Sequence, residues 1–471
     1  MSDDHCYDVI VIGAGISGLG AANELKQKGI NSLILEARDR IGGRIHTINP
    51  WGASLDLGAS WIHGIENNPI AEIAKKYNIR TVETDFDDSD YLKSRRLFAV
   101  YDTCGRRLSQ NEVDELLAQT LAFDQFLSQT RNEYAHLSLR AVFDIYCHEN
   151  QIQEEHYQKL YYFLGNMYAC EYGDDLSLLS NAVQLPYERS DVDGANVIFT
   201  DGYNQVIKRL AQGLSIRFNQ QVKSVNYKKD DMIEIKTKDK QYFCRYLISS
   251  LPLGVLKAGD VEFSPDLPSE KVEAISSLKM GAYNKMYLYF DRVFWDKDSE
   301  WLGYIPQMHE VGKTLDFMNY YKYVHQPILL IFSGASLAKI LETWSDREVV
   351  DYMMQKLKIM YGDKVVAPTS YIRTNWVSDP FSYGSFSCLP VGISHHMYQA
   401  LSAPIENRIF FVGEATSSTD PSTVHGAYTS GVNAANQVAL LSKEMKNTVK
   451  KNDIDTNLLV EKGTKIKKLV S

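Results

Sequence analysis

Three glycines and one acid near the amino end carry the most specific chemistry in the sequence. Gly13-x-Gly15-x-x-Gly18 follows the apolar run Asp8–Ile12, which reads as a buried strand, and precedes an Ala-rich helical stretch at Ala21–Leu25. A second apolar run, Asn31–Leu35, ends on Glu36, eighteen residues past Gly18. Strand, glycine turn, helix, strand and acid in that order form the dinucleotide-binding fingerprint in the context it requires. Gly13 permits the turn, Gly15 lets backbone approach a pyrophosphate, and Gly18 lets the helix pack closely. The helix N-terminus then offers amides to the phosphates. Glu36 is placed to accept from a ribose diol and disfavours the extra 2′-phosphate of NADP. The fingerprint does not by itself choose between NAD and FAD.

Other residues of chemical interest are ambiguous when read alone. Lys285 opens an alternating strand, where spacing gives an exposed edge lysine. His63, in Trp61-Ile62-His63-Gly64, reads as a satisfied core imidazole. Glu171-Tyr172 reads as a solvated helix end, and Glu414, in Gly413-Glu414, as a solvated strand end. Phosphate-loop, HExxH and G-x-S-x-G signatures do not occur. Cys6, Cys104, Cys147, Cys170, Cys244 and Cys388 are scattered without a CxxC pair, so reduced, mostly buried thiols are expected, with no metal site.

The elements that must position these residues follow from periodicity. A helix is expected at Pro69–Tyr77, then a polar, acidic surface excursion at Thr84–Asp90, then helical pattern from Asn111 to about Asn166. In that region Tyr157, Tyr161, Tyr162 and Phe163 read as core. Asn196–Thr200 leads into a helix at Asn204–Gln212. Ile216–Phe218, Val222–Tyr227, Met232–Lys236 and Gln241–Ile248 alternate apolar and polar residues, which predicts an antiparallel meander. Strands are expected at Lys285–Phe290, Leu315–Tyr320, Pro327–Phe332 and Thr369–Thr374, with a helix at Asp346–Met360. Ile409–Ala415 reads as a buried strand, Gly426–Leu440 as an Ala-rich helix, and the chain from about Lys443 as a lysine-rich tail.

The chain of 471 residues is long enough for two to three domains, and 44% hydrophobic with 23% charged residues is ordinary for a soluble globular protein. A formal charge of −9 argues against general nucleic-acid binding. Met1–Tyr7 is polar and acidic, so no signal peptide is expected. No apolar run approaches the eighteen or so residues of a membrane span, so a cytoplasmic protein without stable membrane insertion is expected.

The run Glu36-Ala37-Arg38-Asp39-Arg40-Ile41-Gly42-Gly43-Arg44 resembles the second nucleotide-binding motif of the flavin amine oxidase superfamily. Asp56-Leu57-Gly58-Ala59-Ser60-Trp61-Ile62-His63-Gly64 resembles that family's next motif, beneath the flavin ring. The resemblance extends over about residues 5–442 and implies FAD as cofactor. In the family Gly413-Glu414 contacts the ribityl and pyrophosphate portion, and the helix after Thr423-Val424-His425-Gly426 points its amino end at the flavin pyrimidine. The strand around Val222 helps hold the adenine half. Lys285 matches the lysine that holds a water near flavin N5 and supports reoxidation by oxygen. Asn375–Ser387, with Trp376, resembles the loop bearing one wall of the amine pocket. Monoamine oxidases place a cysteine covalently joined to FAD there; the matching residue is Ser385, which implies noncovalent FAD.

For the substrate pocket the resemblance implies His63, the acid–aromatic pair Glu171 and Tyr172, Phe386 as one wall and Thr423 opposite it. Thr423 stands where monoamine oxidases have a tyrosine, so the pattern is nearer polyamine and spermine oxidases or the lysine-specific histone demethylases. The amino-terminal domain and coiled-coil insertion of the demethylases have no room in this chain. The expected fold is α/β: a Rossmann-like FAD-binding domain of the glutathione-reductase type (1–85, 201–280, 405–445), an inserted α+β substrate domain (86–200, 281–404) and a peripheral tail (446–471). The expected activity is oxidation of spermine, spermidine or acetylated forms by O2, with hydride transfer to flavin N5 and release of H2O2. Monoamine oxidation is an alternative. L-amino-acid oxidation is another and needs a carboxylate-clamping arginine, for which Arg373 is the residue to check. A flavoprotein scaffold without activity is a third. Whether the protein is a monomer or homodimer stays open.

Overall fold

The computed structural model describes residues 6–84, 98–183, 189–228, 232–313 and 315–444. Most of the acidic stretch expected as a surface excursion and the tail from 446 lie outside these residues.

The largest sheet is built on the first strand, Cys6–Ile12. It pairs in parallel with Ser32–Leu35 on one side and with Gln241–Ser249 on the other. Side chains alternate across a strand, so Val9 and Val11 face one core and Ile10 and Ile12 the other. The helix Ile16–Gln27 covers the first face with Leu19, Ala21, Ala22 and Leu25, all buried. Burial on both faces is why this strand is a continuous apolar run. A fully buried Val, Ile or Leu contributes about 1.5–3 kcal/mol. Ile409–Phe411 joins the sheet in parallel beside Gln241–Ser249.

The expected four-strand meander is corrected to three. Val222–Asn226, Ile233–Thr237 and Gln241–Ser249 pair antiparallel, whereas Ser215–Arg217 leaves them and pairs in parallel with Ser32–Leu35 at the far edge. Alternation marks a half-buried strand but not its partner. Here the partner is fixed by main-chain bonds on both sides of Glu36: Glu36 N to Arg217 O at 2.9 Å and Gln220 N to Glu36 O at 2.8 Å.

A second sheet has six strands in the order Ser370–Arg373, Tyr283–Tyr289, Ile328–Gly334, Leu315–Met318, Trp301–Tyr304 and Phe98–Tyr101. The last two have no counterpart in the sequence reading. The helix Asp346–Tyr361 packs on one face through Val349, Met353 and Leu357, its N-terminus closed by a Ser345–Glu348 capping box. The long helical pattern resolves into Gln110–Thr130, Leu139–Glu149 and Glu154–Tyr172. Tyr161 and Tyr162 belong to the core these helices share and Tyr157 and Phe163 pack against it, but Tyr162 and Phe163 also border a cavity, which corrects the reading of them as core alone. The final helix spans 424–444 of the described residues and starts before Gly426, because Thr423 Oγ1 accepts from Gly426 N at 3.0 Å and caps it.

Candidate active site

Two cavities meet between the sheets. The first, of about 300 Å3, runs along the carboxyl ends of Cys6–Ile12 and Ser32–Leu35. Gly13, Gly15, Glu36, Ala37, Arg38, Gly42, Gly43 and Arg44 border its outer part, with Val222 nearby. Gly58, Ala59, Ser60, Trp61, Lys285, Trp376, Glu414, Thr423 and Val424 border the inner part. Gly18 does not: a Cβ there would lie 2.0 Å from Gly13 O, so its role is the close approach of helix to turn.

The lining fits a dinucleotide such as FAD. A Cβ on Gly15 or Gly413 would meet no atom within 4 Å, so both glycines keep open the space a pyrophosphate needs. The helix Ile16–Gln27 has no side-chain N-cap, which leaves its first amides available to an anion. Glu36 is buried, accepting from Ala14 N at 2.6 Å and Arg38 N at 2.8 Å. No cysteine borders this cavity among the described residues. Ser385 does, and its Oγ is held between Tyr283 N and Tyr283 O at 2.8 Å each.

Glu414 does something its sequence position did not reveal. Its carboxylate pairs with Arg44 at 2.7 Å and accepts from Ser387 Oγ at 2.6 Å, from Ser387 N and from Ser422 N. It clasps three chain segments around the cavity, and its acceptors serve protein donors.

Lys285 is buried, not an exposed edge residue. Its ammonium donates to Asp56 O at 2.9 Å, Gly58 O at 2.6 Å and Ser60 Oγ at 2.5 Å. The rings of Trp61 and Phe332 lie 5.8 and 5.6 Å away. Burial lowers its pKa to about 8, opposed by the charge of Asp56.

The second cavity, of about 530 Å3, is a tunnel that joins the first where Trp61, His63, Tyr283, Phe386, Ser422 and Thr423 border both. Its walls carry Glu171, Asp193, Asp316 and Asp420, and no lysine or arginine among the described residues. His63 borders both cavities and is exposed there. Removal from bulk water, and then the proximity of His425, hold its pKa down to about 4. Behind it, His425 Nε2 lies 3.3 Å from Asp420 Oδ1, and Ser190 Oγ donates to the same oxygen at 2.5 Å.

Tyr172 is not on the tunnel. On the helix Glu154–Tyr172 it shares a stripe with Tyr161, Leu164 and Tyr168, stacks on Tyr168 at 5.9 Å and is buried in the helical core. Glu171 and Cys170 lie on the tunnel stripe, and the Cys170 thiol donates to Asp316 Oδ2 at 3.1 Å. The aromatic partner of Phe386 is Tyr283, its ring 6.2 Å from Phe386 and stacked on Phe332 at 5.2 Å. Tyr283 stands two residues before Lys285, hence on the same strand face, which is the signal that could have found it. Arg373 borders neither cavity: its guanidinium donates to Asp346 Oδ1 at 2.7 Å, Leu341 O and Trp344 O, so it clamps no substrate carboxylate.

Among the described residues no group of three or more His, Cys, Asp or Glu could hold a metal ion, and no helix is long and apolar enough to cross a membrane.

The family model of flavin containing amine oxidoreductases matches residues 16–439. Polyamine oxidase 4 of Oryza sativa subsp. japonica is 35% identical over 444 residues, covering 91% of this chain and 88% of that protein. Polyamine oxidase 2 of Arabidopsis thaliana is 33% identical, covering 91% and 87%. Lysine-specific histone demethylase 2 of Homo sapiens is 29% identical, covering 93% of this chain but 54% of the demethylase.

Proposed function

The chain belongs to the family of flavin containing amine oxidoreductases, and we propose that within it the protein is a polyamine oxidase with noncovalent FAD. The observation that carries this reading is the tunnel: four carboxylates and, among the described residues, no lysine or arginine on a wall that opens onto the cofactor cavity. Such a wall attracts a substrate with several ammonium groups and repels anions. FAD, when bound, supplies a ring that takes a hydride equivalent from the carbon beside an unprotonated amine and returns the electrons to O2 as H2O2, the resulting imine hydrolysing to a carbonyl product and an amine.

The protein's part is binding, orientation and charge. Gly13, Gly15 and the uncapped helix amides receive the pyrophosphate, and Glu36 the ribose. The N-terminus of helix 424–444, beginning at Val424 beside Thr423, brings positive potential to the inner cavity. Trp61, Tyr283 and Phe386 give the junction an apolar wall that favours a neutral reacting nitrogen. His63, neutral at physiological pH, offers that nitrogen a hydrogen bond. Glu171, Asp193, Asp316 and Asp420 on the tunnel wall attract the remaining ammonium groups. The Lys285 ammonium, on the cofactor cavity, would supply the positive charge that reoxidation by oxygen needs. Spermine, spermidine and their acetylated forms satisfy these requirements.

The test is peroxide release by the FAD-loaded protein with spermine, spermidine, N-acetylated polyamines, benzylamine and L-amino acids. Turnover of a polyamine well above the others is expected. Turnover confined to benzylamine or an amino acid would overturn the reading.

A further inference from the structure

We propose that Asp56 is the buried counter-ion that sets the charge state of the Lys285 ammonium, a positioning residue that acts on the reacting atoms through that lysine. The proposal rests on the reading that Lys285 stands at the flavin.

The geometry separates two roles within one residue. The backbone carbonyl of Asp56 accepts from Lys285 Nζ and from Tyr287 Oη, each at 2.9 Å. Its carboxylate points to the other side, where Thr47 Oγ1 donates at 2.5 Å and Tyr203 N at 3.1 Å. Asp56 is 3% exposed and Lys285 6%. Every direct partner of the ammonium is a neutral dipole: two carbonyls and the Ser60 hydroxyl. Three neutral acceptors alone leave a full positive charge buried without a counter-charge, which is costly.

Asp56 supplies that counter-charge. Among the described residues the other titratable groups coupled to the pair are tyrosines: Tyr287 on the strand of Lys285, Tyr203 beside the carboxylate, and Tyr320, whose hydroxyl donates to Ser54 O at 3.0 Å. Burial pushes all three phenols up, so they stay neutral. No hydrogen bond made by the Asp56 carboxylate demands a charge, since a hydroxyl and an amide are its donors. Burial raises Asp56 to about 6 and lowers Lys285 to about 8, which leaves a window near neutral pH where both are ionised. The ionised Asp56 thereby extends the charged state of the lysine upward through neutral pH, to an alkaline limit near 8.

The experiment is a pH titration of the visible flavin absorbance in the oxidised holoenzyme, with the rate of reoxidation of the reduced protein by O2 as a second trace. In the unmodified protein both traces should share an alkaline midpoint near 8, abolished by Lys285→Met. Asp56→Asn keeps the side-chain volume and removes the charge, and should lower the midpoint by about one pH unit. A merely structural Asp56 would leave the midpoint in place. Should Asp56→Asn fail to hold flavin, Lys285→Met gives the reciprocal measurement, because coupling between two sites is mutual. The carboxyl stretch of Asp56, followed by infrared difference spectroscopy, should then titrate higher than in the unmodified protein by a similar amount. An unmoved midpoint in either variant, or an alkaline step that survives Lys285→Met, overturns the proposal. Failure of every amine to reduce the flavin would overturn the polyamine oxidase reading instead, and the absorbance titration would still decide on the ion pair.

Discussion

Replacing Glu414 by glutamine attacks the one side chain that ties three segments of the cofactor cradle together. The carboxylate takes donors from Arg44, from the main chain and hydroxyl of Ser387, and from Ser422 N, in a site only 5% exposed. A glutamine offers one carbonyl oxygen and turns an NH2 group toward donors of which only the Ser387 hydroxyl can also accept. It also leaves the Arg44 guanidinium without its counter-charge. Breaking a buried ion pair by neutralising one partner costs about 3–5 kcal/mol. With an unfolding entropy of about 2.1 cal/mol/K per residue, a chain of this length gains roughly 1 kcal/mol/K, so the melting midpoint should fall by ~3–5 °C. Because Arg44 also donates to Ser385 O at 3.0 Å, the loosened clasp should weaken FAD binding by about tenfold or more. Differential scanning fluorimetry of the apoprotein and a fluorescence titration with FAD read the two effects separately. Combining Glu414→Gln with Arg44→Met should cost less than the sum of the singles by about 1.5 kcal/mol or more, since the two groups share one interaction. A Glu414→Gln protein that melts within about 1 °C of the parent and binds FAD equally well would refute the clasp.

The glycines of the fingerprint should separate by role. Gly15→Val, whose Cβ enters open space at φ −71, should fold with an unchanged melting midpoint yet fail to retain FAD. Gly18→Ala meets Gly13 O at 2.0 Å and should destabilise the apoprotein itself, both read by thermal melting and flavin content. His63 titrates near 4 in the fold against 6.5 unfolded, so the folded protein binds fewer protons between those values. Its contribution to stability is therefore complete above pH 6.5 and lost as pH falls toward 4; chemical denaturation of His63→Asn against the parent at pH 5 and 7.5 should show the difference shrinking at the lower pH. Asp316→Asn should raise KM for a polyamine by about tenfold while leaving FAD content unchanged, because it removes one charge from the tunnel wall and touches none of the cofactor cradle.

Legibility in the sequence followed locality. The glycine turn and Glu36 could be read because strand, turn and helix are contiguous, and the same holds for the apolar strand Cys6–Ile12. Lys285 read alone was an edge lysine. Its burial depends on segment 56–60, more than two hundred residues earlier, which no periodicity reports. Glu414 was seen as a cradle residue, but its partners Arg44, Ser387 and Ser422 converge only through the fold. Tyr172 shows the converse: the helical stripe Tyr161, Leu164, Tyr168, Tyr172 was legible, and following it would have assigned that ring to the core. Asp193, Asp316 and Asp420 come from three unrelated stretches, so the acidity of the tunnel became visible only when the chain had been folded. The pattern at Ile216–Phe218 marks a strand, found at Ser215–Arg217, but not its neighbours, since pairing is a long-range choice.

The central claim is that a polyamine delivers its electrons to a flavin held in this cradle. Anaerobic stopped-flow mixing of the FAD-loaded protein with spermine or spermidine, at pH 7.5, tests it most directly. Loss of the visible flavin band within the time of a turnover, restored on admitting air, is expected. A band that persists with every polyamine and disappears with an L-amino acid or benzylamine would contradict it.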